Sequence, residues 1–130
     1  MELLTEKKVN TKVITEMYAV LKSCFPAVKF EITRKTQGIH DVYRIAYTDG
    51  PAKVKLRKMV MHFERPYQIV GNVNGVKVVF NRTMSDRVER LIIEETKEIF
   101  NIESVSDEYV PVLGSTLGEY VWTIFNMKDF

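Results

Sequence analysis

From Thr11 the apolar positions Val13, Ile14, Met17 and Leu21, followed by Cys24, recur at the three- to four-residue interval of an amphipathic helix. Asn10 or Thr11 would cap it and Pro26 stops it, so a first helix is expected over about 11–24. The period then changes. Val28, Phe30 and Ile32 alternate with Lys29, Glu31 and Thr33, and beyond Gln37-Gly38 the residues Tyr43, Ile45 and Tyr47 alternate with Val42, Arg44, Ala46 and Thr48. Alternation of this kind describes two half-buried strands. A hairpin with its loop near 36–41 would put Phe30, Ile32, Tyr43, Ile45 and Tyr47 on one buried face. Asp49-Gly50-Pro51 ends the second strand, and Pro51 can open a helix over about 51–63 with Ala52, Leu56, Met59, Val60 and Phe63 on its apolar side.

Pro66 and Gly71 leave 64–72 as an irregular connection or a short edge strand, and Asn74-Gly75 is the strongest short turn signal in the chain. A third strand runs from Val76 to Arg82, with Val76, Val78 and Phe80 on one face and Lys77, Val79 and Asn81 on the other. Ser85 caps a third helix that extends to about Phe100, with the core stripe Val88, Leu91, Ile92, Thr96 and Ile99. After a crossing stretch over 101–112, the residues Leu113, Leu117, Tyr120, Val121, Ile124 and Phe125 mark a last helix. The order α-β-β-α-β-α-α predicts the α+β class: a small antiparallel β-sheet of three to four strands with helices packed on one face.

A chain of 130 residues suits a single domain over 1–130 that can bury a core without disulfides or a structural metal. Its one cysteine excludes an intramolecular disulfide, and the first residues hold no apolar signal region, so a cytoplasmic protein is expected. No run approaches the roughly 18 apolar residues of a membrane span, and no membrane partner is expected. The net charge of +2 points to no polyanion by itself, but its distribution is uneven. Residues 1–60 carry twelve Lys and Arg against six Asp and Glu, whereas 61–130 carry seven against eleven.

Three phrases taken together carry a family resemblance. They are Phe25-Pro26-Ala27-Val28-Lys29-Phe30, then Tyr43-Arg44-Ile45-Ala46-Tyr47-Thr48-Asp49-Gly50-Pro51, then Val79-Phe80-Asn81-Arg82-Thr83-Met84-Ser85 before a helix. In order and spacing they resemble the large polyvalent protein-associated domain twenty-nine family, with Tyr47 standing where the family often has tryptophan. The tail from Val121 to Phe130, ending in an aromatic residue after Lys128-Asp129, is similar as well. The resemblance implies a protein of a phage, prophage or conjugative element. It brings no catalytic residues with it.

Catalytic signals in the residues themselves are weak, and a non-enzymatic protein with no cofactor and no metal is expected. His40 and His62 lack the i, i+4 partner of a metal-binding helix, and Cys24 reads as a packed thiol beside Leu21. Gly114-Ser115-Thr116-Leu117-Gly118 has neither the serine placement of a nucleophile elbow nor the lysine of a phosphate loop. Glu94, Glu95 and Glu98 form a solvated acidic face on the third helix, extended by Asp107 and Glu108, which could meet a basic partner. Arg34, Lys35, Arg44, Lys53, Lys55, Arg57 and Lys58 form the candidate nucleic-acid or partner-binding group, since phosphate contacts need such a positive field. The resulting expectation is a monomeric accessory protein that binds a host or element-encoded protein or nucleoprotein complex. Inhibition of a defence system, as an anti-CRISPR does, is one such role, and direct nucleic-acid binding is the alternative.

Overall fold

A computed structural model describes residues 2–103 and 108–130, so Asp107 lies outside the described residues. The element order is α1 (Glu2–Cys24), β1 (Glu31–Gln37), β2 (His40–Thr48), α2 (Lys53–Val60), a 3-10 turn (Met61–Phe63), β3 (Gly75–Thr83), α3 (Asp86–Phe100), β4 (Tyr109–Val110), β5 (Ser115–Thr116) and α4 (Leu117–Met127). This is the α+β order that the periodicity predicts, with the short strand β4 added in the crossing stretch and β5 where the last helix was expected to begin, so that Leu113 lies before α4. Helix α1 starts well before Asn10 and Thr11, which therefore lie within it instead of capping it.

The chain forms two compact units. The first holds Met1–Thr48 and Lys53–Thr83, and the second holds Asp49–Ala52 and Met84–Phe130. In the first unit β1 and β2 make an antiparallel hairpin, with Ile32 opposite Ile45 and Arg34 opposite Tyr43. The pairing of β2 with β3 is parallel, Tyr43 opposite Val78 and Ile45 opposite Phe80, so the sheet is mixed and not antiparallel throughout. The reason lies in the connection. Parallel neighbours need a crossover, usually helical, and α2 carries the chain back to the end at which β2 began. Tyr43, Ile45, Tyr47 and Val78 on one sheet face pack with Met17 and Leu21 of α1 and with Leu56 and Val60 of α2. Alternation along the strands and four-residue spacing along the helices put these side chains together, and Phe30 leans on Tyr47 with ring centroids 5.5 Å apart.

The link between α2 and β3 folds back as a narrow arm. Arg65 bridges Val76 and Gln68 bridges Val73, which makes 64–74 an edge extension of β3. Its turn lies at 69–72, where Gly71 and Asn72 have φ of 81° and 48°, and not at Asn74-Gly75. Gly75 is needed there for a different reason: a Cβ on it would stand 2.9 Å from the Tyr67 backbone nitrogen and 2.6 Å from the His40 ring.

In the second unit Val88 and Ile92 of α3 pack with Leu117, Val121 and Phe125 of α4. Of the expected α3 stripe, Val88, Ile92 and Thr96 are buried, while Leu91 flanks the stripe and Ile99 stands exposed in the last turn. Both helices begin on hydroxyl caps. Ser85 Oγ accepts from the Val88 N–H and Thr116 Oγ1 accepts from the Glu119 N–H. Thr116 also donates to the Glu119 carboxylate at 3.0 Å, a relative of the capping box.

Candidate interaction surfaces

Strand pairing assigns each predicted cation to a face. Residues opposite Val42, namely Lys35 on β1 and Lys77 on β3, share its side of the sheet, and Arg44 lies one row further on that same side. This is the face turned away from α1 and α2. Glu31, Thr33, Lys35, Arg44, Lys77, Val79, Asn81 and Thr83 are exposed there, and Val42 and Ala46 are half-buried between them. Each strand thus contributes one cation. Diagonal neighbours across adjacent strands stand about 7–8 Å apart and alternate strands about 10 Å apart, so Lys35, Arg44 and Lys77 make a compact triangle.

Arg34 is not part of it. One position away along β1, it points to the helix-bearing face, where its guanidinium meets Asp41 Oδ1 at 2.9 Å. Thr36 donates to the same oxygen at 3.1 Å and the Asn74 amide approaches it at 3.4 Å. Arg34 Nε is buried without a partner among the described residues, which marks this corner as tightly closed around the guanidinium. Tyr43 stands in the same corner. Burial pushes its phenol above the ordinary value of 10.0 against the pull of the Arg34 charge.

Lys53, Lys55, Arg57 and Lys58 are all exposed on α2, which packs on the other side of the sheet through Leu56 and Val60. They are more dispersed than their sequence density implies. They project around the helix on both flanks of the Leu56–Val60 stripe, and the Arg57 guanidinium is engaged by Glu64 at 3.0 Å. The predicted cationic group is therefore divided between two opposite sides of the first unit, with Arg34 on the helix-bearing side but held in its ion pair with Asp41. Lys77 was missed by sequence reasoning. Alternation gives its face, but only the β2–β3 pairing reveals that it stands beside Arg44.

Glu94, Glu95 and Glu98 are exposed on α3. Their helix is not uniformly acidic, since Arg87 and Arg90 with Leu91 and Glu94 line a shallow open depression of about 310 Å³. His40 is half-buried at the start of β2, and His62 lies exposed against Phe63. Cys24, expected to be packed beside Leu21, is exposed: seven residues after Met17 it stays in line with the buried stripe, but it is the last residue of α1. Among the described residues no helix is long and apolar enough to cross a membrane.

The motif Asp49-Gly50-Pro51 is spent on structure. Asp49 Oδ1 accepts the Ser85 N–H at 2.8 Å, the Gly50 carbonyl accepts the Phe130 N–H at 2.7 Å, and the Ala52 N–H donates to Asp129 Oδ1 at 2.8 Å. Ser85 from the third phrase and Asp129-Phe130 from the tail thus converge on this one turn, and the Phe130 ring stacks on Phe125 with centroids 5.7 Å apart.

Comparison with known proteins agrees with the family resemblance over its first two phrases, while Val79–Ser85 and Val121–Phe130 lie outside the matched residues. Residues 9–78 match the family described as large polyvalent protein associated domain 29, a stretch that runs from α1 into β3 and includes the hairpin, the Asp49-Gly50-Pro51 turn, α2 and the arm. No curated protein and no solved structure matches the chain.

Proposed function

The chain belongs to the large polyvalent protein associated domain 29 family and is a protein associated with phages and mobile elements, and we propose that it acts there by binding and not by turnover. It occupies a surface of a host or element-encoded protein or nucleoprotein complex, and inhibition of a host defence system is the role that best suits such an occupant. One observation carries the reading: beyond the end where the arm closes over Gly75 and His40, the sheet face of the first unit turned away from α1 and α2 is exposed, with Lys35, Arg44 and Lys77 on it. A sheet face of this breadth, turned away from α1 and α2, is suited to contact with another molecule, and an interface of standard size needs only about 800 Å² on each partner.

Affinity purification of the tagged chain from cells carrying its mobile element, with and without nuclease treatment, tests this. A stoichiometric protein partner that can be rebuilt from purified components supports the proposal. Failure to rebuild any complex, together with turnover of a nucleotide or peptide substrate by the purified chain, contradicts it.

A further inference from the structure

We infer that the open sheet face is a contact surface for the phosphate backbone of double-stranded nucleic acid, with Lys35, Arg44 and Lys77 as the phosphate-binding side chains. The inference rests on the binding reading above and takes its nucleoprotein form, in which this face meets the complex through its nucleic acid. Its first support is charge: three cations, one from each strand, stand against the single carboxylate of Glu31 on this face. A duplex carries one negative charge for about every 1.7 Å of axis, so about 10 Å of it holds about six phosphates, and the roughly half that lie toward the patch suffice to engage the three cations. Thr33, Thr48, Asn81 and Thr83 lie on the same face and supply uncharged donors of the kind that commonly contact phosphate and sugar.

The rest of the face argues against other occupants. Its apolar strand positions are Val42, Ala46 and Val79, none of its strand positions is Trp, Tyr or Phe, and its one imidazole, His40, is half-buried at the end against Gly75. Protein hot spots are enriched in Trp and Tyr as well as Arg, so an acidic protein would find charge here without an anchor. Single-stranded nucleic acid is held by stacking its bases on aromatic rings, and the aromatic residues of β2, Tyr43 and Tyr47, are buried on the opposite face. Backbone contact with a duplex needs neither.

Fluorescence anisotropy with a labelled 20-base-pair DNA duplex, its component single strand and polyglutamate as probes tests the inference. Three phosphate contacts give a slope of log affinity against log salt of about −2.7, so duplex binding should weaken about 40-fold between 50 and 200 mM salt. Lys77→Ala should make the slope shallower by about 0.9, and Lys35→Ala and Arg44→Ala likewise, whereas Lys53→Ala with Lys58→Ala on α2 should leave it unchanged. Single variants are read as slopes, so a loss of folded protein lowers the amplitude without imitating the effect. Three results overturn the inference: no saturable duplex binding at 50 mM salt, a slope insensitive to all three substitutions, or binding of single strand or polyglutamate at least as tight as that of duplex. None of these bears on whether a protein partner survives nuclease treatment, so the two proposals fail separately.

Discussion

Asp49 shows what a single residue does in this chain. It adopts φ of 54° and is followed by Gly50 at 65°, a left-handed pair that turns the chain sharply after β2. Its carboxylate is then in place to take the N–H of the Ser85 cap. Asp49→Ala removes the acceptor and puts a residue without a local polar group at positive φ, so a loss of about 1–3 kcal/mol is expected in urea unfolding. Asp49→Asn keeps an acceptor oxygen and tolerance of that φ, and should cost clearly less. Tyr43 gives the pH dependence. Its buried phenol resists ionisation in the folded state, while the unfolded chain ionises near 10.0, so above that pH the native state holds more protons and stability falls as pH rises. Melting temperatures taken across the alkaline range should decline, and Tyr43→Phe should flatten the decline. Some of this was legible. Asp49-Gly50-Pro51 announced a turn by residue type, but its bonds to Ser85, Asp129 and Phe130 are long-range and leave no local trace. Arg34 carried its own signal, since it shares the parity of Phe30 and Ile32, and grouping it with Lys35 by charge alone ignored that alternation.

At the scale of elements, periodicity located α2, β1, β2, β3, α3 and α4 to within a few residues, because each buries one side and the spacing reports which. What it could not give is which strands are neighbours and in which direction. The hairpin follows from a short loop, but β3 reaches β2 only after α2 and the arm, and the parallel pairing that sets Lys77 beside Arg44 is a product of that return path. Gly75 marks the same limit. Its sequence context with Asn74 reads as a two-residue turn, yet the turn forms at 69–72 and Gly75 serves a close approach to Tyr67 and His40. Gly75→Ala should therefore destabilise the chain by about 1–3 kcal/mol, seen as a lower midpoint in thermal unfolding, as overpacking against fixed backbone does. Had the glycine served a hairpin turn through positive φ, Gly75→Asn would be well tolerated. Here it should be worse than Ala.

For the whole molecule, the uneven charge of the two sequence halves becomes a matter of faces. The basic half supplies most of the first unit, and that unit presents cations on the open sheet face and on α2, while the acidic residues of α3 belong to the second. Composition showed that positive charge was available. Strand register determined which part of it is concentrated, and Lys77, from the acidic half of the sequence, completes the triangle. The central claim is that this exposed face meets another molecule in the setting where the protein works. A photoreactive amino acid placed at Val79, in the middle of the face, and separately at Trp122 on α4, measures this directly when the chain is expressed in cells carrying the mobile element. A discrete crosslinked species formed from Val79, and weakened when Lys35, Arg44 and Lys77 are replaced by alanine, is the predicted result. Absence of any discrete species from Val79, or crosslinking from Trp122 alone, would contradict it.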